Sequence, residues 1–491
     1  MLKLFGLEIT RVKQTLPQKR HFNASSTGTL YANWIPVQAT ADVSIRRDLR
    51  SVRNRSRDLM MNDDYAKRFK RILKTNVIGS TGLRLQNRAK DTNGNLDRAA
   101  NNLIEEAWKE WGKKGICDVT GKYTIDDVWK MAIGAAAEDG EVLIRKVKGF
   151  PNKFGFAVQL IEADHLDEQF NDPERNIMMG IEFDAWGKPI AYHIYKSHPH
   201  SNGMQRMDIA RERIPADQIV HLFLPTRISS SRGMPWMHTA MTRMKMLNGY
   251  EEAELVASRV AASKGGFYKR IKNESGEFLG DEKIDGGFVN ELSPGEFEIL
   301  PDGYEFQSYD PTHPTTAFKD FIKVVLRGVS SGLDISYNSL ANDLEGVNFS
   351  SLRSGKLEER DIWKELQQWM IDHAAAPVFG DWLDMALLKQ AVPLPYSKYE
   401  KFNAPSFLGR GFAWVDPYKD MLANILAKKE GLKTDTQIAN EMGMDLEELY
   451  QQLQKEKKLR EQYGILTMSE AEIAQIMTVV IQSEQGGHND E

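Results

Sequence analysis

The chain has 491 residues, 41% of them hydrophobic and 27% charged, with a formal net charge of −5 at pH 7. That length exceeds one ordinary core, so a folded protein of two or more domains is expected, and the acidic balance excludes a protein that coats nucleic acid over its whole surface. Cys117 is the sole cysteine, which excludes an intrachain disulfide and a thiolate zinc cluster, and no apolar run approaches the length of a membrane-spanning helix.

In chain order, residues 1–41 are rich in Ser, Thr, Asn and Ala, and read as a mobile arm whose start, broken by Lys3, Glu8 and Arg11, is no secretory signal. From Asp42 the pattern turns helical: Ile45, Leu49, Val52, Ser56 and Leu59 share one face. Arg46, Arg47, Arg50, Arg53, Arg55 and Arg57 are placed opposite, where they could bind phosphates; a solvated face or a subunit interface is the favoured reading. Asn62, Asp63 and Asp64 supply the cap of a second helix with Tyr65, Phe69, Ile72 and Leu73 inward. After a further helix over 100–137, β-prone runs dominate from Glu141 to Leu224.

A long helix is expected from about Trp236 to Ala262, with Met237, Met241, Met244, Leu247 and Tyr250 among its periodic residues. Strand-like runs follow over 265–309, divided by Ser293-Pro294-Gly295 and Pro301-Asp302-Gly303 turns. A second helix is expected after Pro314, capped by Thr315 or Thr316, with Phe318, Ile322, Val325 and Val329 on one face. A β module thus sits between two helices that leave and rejoin the main body. Ser336–Phe349 is polar, interrupted by Gly346, and reads as a loop before a helix opened by Ser350 or Ser351. The C-terminal part reads as short capped helices: Asp416-Pro417 starts one, Thr434 with Gln437 a second, and Asp445 a third that runs to Gly464.

Catalytic signatures are missing. The Gly-Lys pairs at 121–122 and 355–356 lack the upstream glycine of a phosphate loop, and H-E-x-x-H does not occur. His198 and His200 read as an exposed turn rather than metal ligands. Glu138, Asp139, Glu141, Glu162 and Asp164 could supply the carboxylates of a metal-dependent nuclease, but solvated acids at element ends are the plainer reading. Ile438, Ala439, Met442, Gly443, Leu446 and Leu449 have the spacing of a helix-turn-helix. Its second helix opens on Asp445, Glu447 and Glu448, which repel phosphate, so a packed helical hairpin is expected there; a DNA-binding regulator remains the alternative function.

Several segments, in consistent order over about residues 42–460, resemble the lambda family of bacteriophage portal proteins. They are Arg213-Ile214-Pro215 leading to Ile219-Val220-His221-Leu222-Phe223, then Arg232-Gly233-Met234-Pro235-Trp236, and Tyr250-Glu251-Glu252-Ala253-Glu254-Leu255. Asp343 with Asn348-Phe349-Ser350-Ser351-Leu352-Arg353 follows, and then Trp414-Val415-Asp416-Pro417 with Lys419-Asp420; Phe349 stands where tyrosine is more usual. The resemblance implies an α+β fold of the portal type. Its parts would be a flexible arm (1–41), a mixed α/β wing (42–235), stem helices (236–264 and 310–335) bracketing a β-rich clip (265–309), a tunnel loop (336–349), a long helix with the rest of the wing (350–394), a helical crown (395–482) and a disordered tail (483–491).

It further implies a non-enzymatic homo-oligomeric ring of about twelve subunits at one capsid vertex, in the virion and, during assembly, in the host cytoplasm. The implied partners are the terminase large subunit, head-tail adaptor proteins, the major capsid or scaffold protein and double-stranded DNA without sequence preference, with no membrane and no cofactor. Asn338, Asn342, Asp343, Glu345 and Asn348 would face DNA in the channel, and Lys269, Arg270, Lys272, Glu296 and Glu298 would dock terminase and connector on the clip. A ring of twelve would carry a charge of about −60, which suits DNA that must slide rather than be held.

Overall fold

The computed structural model describes residues 2–4, 7–9, 38–199, 201, 210–262, 266–271, 304–308, 318–413 and 416–464. Within the expected arm, β1 (Leu2–Leu4) and β2 (Leu7–Ile9) pair antiparallel. The body begins with α1 (Ala41–Asn62), where the Thr40 hydroxyl accepts from the Val43 amide, and α2 (Asp64–Leu73), where the Asp63 carboxylate accepts from the Ala66 amide. A π-helical turn, Lys74–Ile78, ends α2 at Gly79, whose φ of +72° suits glycine. Next come β3 (Arg84–Asn87), α3 (Arg98–Trp111) and α4 (Ile125–Asp139), the last opened by a reciprocal Thr124–Asp127 capping box.

The strands expected between Glu141 and Leu224 are present as β4 (Glu141–Lys148), β5 (Phe156–Ile161), β6 (Ile177–Met178), β7 (Ile181–Phe183), β8 (Pro189–Tyr195), β9 (Arg211–Pro215) and β10 (Ile219–Phe223). They form two antiparallel sheets, in the orders β10-β4-β5 and β6-β7-β8-β9. The long helix, α5 (Met241–Ala262), starts five residues later than its periodicity suggested, because residues 237–240 form turns that bury Met237. The strands β11 (Gly266–Arg270) and β12 (Tyr304–Ser308) pair antiparallel, and α6 (Phe318–Gly332) follows. The strand-like runs between them, and the cap expected at Thr315 or Thr316, lie outside the described residues.

Tyr250 stacks on Phe318 and Phe321 while Arg243 lies across Gly328, so α5 and α6 run antiparallel side by side. The remaining helices are α7 (Tyr337–Ala341), α8 (Phe349–Met370), α9 (Ala376–Leu388) and α10 (Tyr399–Phe402), a second π-helical turn, Ile371–Ala375, joining α8 to α9. Then β13 (Pro405–Leu408) pairs with β3, so part of the segment expected to be a helical crown is a strand of the main body. The three capped C-terminal helices stand where their signals put them: α11 (Pro417–Lys429), α12 (Asp435–Glu441) and α13 (Leu446–Gln462).

The main core lies where α3, α9 and β13 meet. Trp108 stacks edge-on to Trp382 with ring centroids 5.0 Å apart, and Trp111, Phe156, Phe379 and Phe407 surround them. Cys117 is buried, and burial, then the neighbouring Asp118, pushes its thiol up to about 12, so it is an inert packing group.

Candidate functional site

The expected channel loop is shorter than its composition suggested. Ser336 caps a turn of helix, its hydroxyl accepting from the Ser339 amide at 3.2 Å, and α7 buries Leu340. The Glu359 carboxylate of α8 accepts from the Ser336 amide at 3.3 Å and the Ser339 hydroxyl at 2.9 Å, while Arg68 of α2 donates to the Ser339 carbonyl at 3.2 Å. Residues 336–341 are therefore body, and the loop proper is 342–348. It starts at Asn342 in the left-handed region (φ +54°) and turns at Gly346 (φ +69°). The next helix opens at Phe349, ahead of the expected Ser350 or Ser351, because Asn348 caps it by accepting from the Ser351 amide at 2.7 Å.

The five candidate side chains thus have different situations. Asn338 is half-buried on α7, Asn342 is exposed, and Asn348 is spent as a cap. Asp343 accepts from the Tyr337 hydroxyl at 2.7 Å and from the Glu345 amide at 2.9 Å, and these bonds hold its carboxyl below the usual range. Glu345 is exposed and pairs with Lys319 of α6 at 2.6 Å and Lys323 at 3.4 Å; the hydrogen bond from Lys319 lowers its carboxyl further. Two acids of the loop are thereby matched by two lysines of α6, and the tip offers phosphate neither a strong anchor nor a strong repulsion. In the expected clip, Lys269 is exposed and sits opposite Glu305 in the β11–β12 register, and Arg270 lies opposite Tyr304; Lys272, Glu296 and Glu298 lie outside the described residues.

Of the carboxylates considered for a nuclease, Glu162 is exposed as expected, whereas Glu138, Asp139, Glu141 and Asp164 are taken up by cations of this chain. In the arginine stripe of α1, Arg53 and Arg57 turn inward while Arg46, Arg47, Arg50 and Arg55 are exposed. Arg53 and Glu141 are buried and paired at 2.7 Å, and Arg232, fully buried, grips the same carboxylate through Nε at 2.7 Å and through Nη2. His221 adds a 3.0 Å contact and the Gly233 amide donates at 3.3 Å. Burial alone would push the Glu141 carboxyl up; Arg232, His221 and Arg53 outweigh it and hold it well below the usual range. Arg57 pairs with Asp139 at 2.6 Å and with Asp164, and Arg50 with Glu168 through Nε at 2.6 Å. These acids sit where α4 meets β4 and beside the following sheet, within reach of the arginines of α1, which packs on α4.

Glu162, Asp164 and His198 do approach one another, with His198 Nε2 3.3 Å from Glu162 and 3.6 Å from Asp164. Asp164 is already engaged by Arg53 and Arg57, which put two positive charges where a metal ion would need none, so the group does not suit one. His200 lies outside the described residues.

Comparison with known proteins decides what this arrangement belongs to. The family described as "Phage portal protein, lambda family" matches residues 27–367. A probable portal protein of Halomonas phage phiHAP-1 is 36% identical over 435 residues, covering 87% of this chain and 83% of its own. The chain belongs to the lambda family of phage portal proteins. Portal protein B of Escherichia phage lambda is 20% identical over 490 residues, covering 91% and 90% of the two chains, and the portal protein of Escherichia phage N15 is 21% identical over the same length. Among solved structures, a chain from the neck of an empty gene transfer agent particle aligns over 85% of this chain and 99% of its own, at 11% identity and a TM-score of 0.44.

The portal-like segment Arg232-Gly233-Met234-Pro235-Trp236 has a structural task here. Besides holding Glu141, Arg232 donates to the carbonyls of Met179 at 2.9 Å and Leu166 at 3.1 Å, which ties three separate segments to one guanidinium. Gly140 and Gly233 pass backbone to backbone: a Cβ on Gly140, whose φ is +89°, would lie 2.5 Å from the Met234 carbonyl carbon. The Trp236 amide then donates to the Ala137 carbonyl at 3.0 Å.

The helix-turn-helix spacing is likewise turned inward. Arg84 donates to the Gly443 carbonyl and Gln86 to Asp445, while Arg98 pairs with Glu447 at 3.3 Å and Arg84 with Glu448 at 3.7 Å. The end of α13 that would enter a DNA groove is docked on β3 and α3 of its own chain, in keeping with the packed hairpin expected from its acidic start.

Proposed function

We propose that the chain closes into a ring of about twelve subunits at one capsid vertex, the conduit for DNA packaging and ejection. In this reading the wing, stem, clip, tunnel loop and crown take the ranges given above, with the loop proper reduced to 342–348 and Pro405–Leu408 joined to the main body. The observation that carries it is the family match, which spans the α5–α6 pair, the strands between them and the loop. The matched charges at the loop support contact with a duplex that must move: Asn342 offers a neutral hydrogen-bonding group, and the Asp343, Glu345, Lys319 and Lys323 charges offset one another.

The clip, around Lys269 and the cross-strand Glu305, is the proposed dock for terminase and the head-tail adaptors. Wing and crown would meet capsid or scaffold protein during assembly in the host cytoplasm. The energy of packaging comes from the partner motor. Purified protein is accordingly expected neither to hydrolyse ATP nor to cut DNA, and particles assembled without it to hold no nuclease-protected genome. ATPase activity that co-purifies and vanishes on one point substitution would overturn this reading, as would full genomes in particles lacking the chain.

A further inference from the structure

Two surfaces of the helical pair are left uncovered, and they differ in sign. On the first, Met246, Gly249, Ala253 and Val256 recur at three- and four-residue spacing along α5, opposite the face that buries Met244, Leu247 and Glu254. Met246 is 70% exposed, Val324 on α6 is 64% exposed, and Gly249 opens on empty space. The face is rimmed by Arg243, Lys245 and Arg327, all exposed and without a carboxylate partner among the described residues, against the exposed Asp320 and Glu252, so its balance is positive.

The second surface is the corner where α1 passes into α2 against α5. Met61 is 72% exposed there, and Leu255, one turn beyond Glu251, is 66% exposed. Asp63, Asp64 and Glu251 lie close together there, with no cation paired to any of them among the described residues. Asp63 is 4% exposed; one carboxylate oxygen caps α2 and the other is buried with no hydrogen-bond partner. Burial, then Asp63 and Asp64, raise the carboxyl of Glu251, so the corner is a concentration of negative charge that nothing described on this chain offsets.

We propose that the basic-rimmed face of α5 and α6 docks on the acidic α1–α2–α5 corner of a second copy of this chain, and that this is the repeating contact of the ring. The inference rests on the ring reading above and names the surface that makes it. The two surfaces are different patches of one subunit, so their contact is head-to-tail, the kind that closes a ring when the rotation allows. Both lie within a few turns of α5, so neighbouring copies meet at nearly the same height. Exposed apolar side chains at the centre and opposite charges at the rim match the anatomy of a specific interface.

Charge reversal tests it on the full chain, read by native mass spectrometry. The pair Arg243→Glu with Lys245→Glu, and the pair Asp64→Lys with Glu251→Lys, are each expected to raise the concentration needed for ring formation by at least about tenfold. A chain carrying all four substitutions should recover rings, because each surface again meets its opposite. An equimolar mixture of the two double variants should also recover them, as rings with equal numbers of each. Rings that persist in either double variant alone overturn the assignment while leaving the ring reading in place. So does failure of the fourfold variant to recover rings when each double variant melts like the parent. A parent chain that stays monomeric at every concentration overturns both.

Discussion

Replacing Arg232 by alanine is expected to lower the unfolding free energy by about 3–5 kcal/mol, one of the largest single-residue losses available in this fold. The guanidinium is fully buried and holds Glu141 together with two backbone carbonyls. Its removal leaves a buried carboxylate supported only by Arg53, His221 and the Gly233 amide, and leaves the carbonyls of Met179 and Leu166 without this donor. Urea denaturation of parent and variant measures the difference; a loss under about 1 kcal/mol would show that the node is not what locks α1 to the sheets.

The same node sets an acid limit. The folded Glu141 carboxyl is held well below its ordinary value, and that of Asp164 is lowered too, burial there being outweighed by Arg57 and Arg53. A depressed folded value means that the unfolded chain takes up protons first. The stabilisation is therefore complete above the ordinary carboxylate range and is lost as pH falls through it toward the folded values. Stability should decline below about pH 4.5 in the parent and decline less steeply in the Arg232 variant, whose Glu141 has lost its strongest partner.

Removing residues 343–347 is expected to leave rings intact and to abolish retention of full-length DNA in assembled particles. The anchors around α7, namely Leu340, Glu359 and Arg68, all lie outside the deleted segment. What is lost is Gly346, Leu344 and the Asp343–Glu345 pair that ties the tip to Lys319 and Lys323. The assay is the amount and length of DNA protected from nuclease in particles built with the shortened chain. Full genomes at normal yield would deny the loop any part in holding DNA, and failure of ring formation would make the segment a structural one.

Local signals in the sequence located most elements. Asp63, Thr434 with Gln437, and Asp416-Pro417 each mark a helix start in the structure, because a cap is decided by neighbours three residues away. Long-range pairing was the hidden part. Four residues, Pro405–Leu408, carry too little pattern to announce a strand whose partner lies more than 300 positions earlier. Arg53 departs from the solvated stripe of α1 for a related reason. Arg53 falls four residues after Leu49 and three before Ser56, in phase with the buried stripe, and that spacing was the available clue.

The channel candidates divide in the same way. The short helix over Tyr337–Ala341 was readable from Ser336 followed by Ser339 and the apolar Leu340, although polar composition pointed to a loop. That Glu345 meets Lys319 and Lys323 was not readable, since only the antiparallel return of α6 beneath the loop brings them together.

The central claim is that this chain builds a ring whose channel is lined by the 342–348 loop. Electron cryomicroscopy of the purified full-length protein, reconstructed with and without imposed symmetry, tests it most directly. The account predicts closed rings of about twelve subunits with an axial channel, the 342–348 loops converging on that axis and α5 of each copy against its neighbour. Monomers throughout, or rings in which those loops point away from the axis, would contradict it.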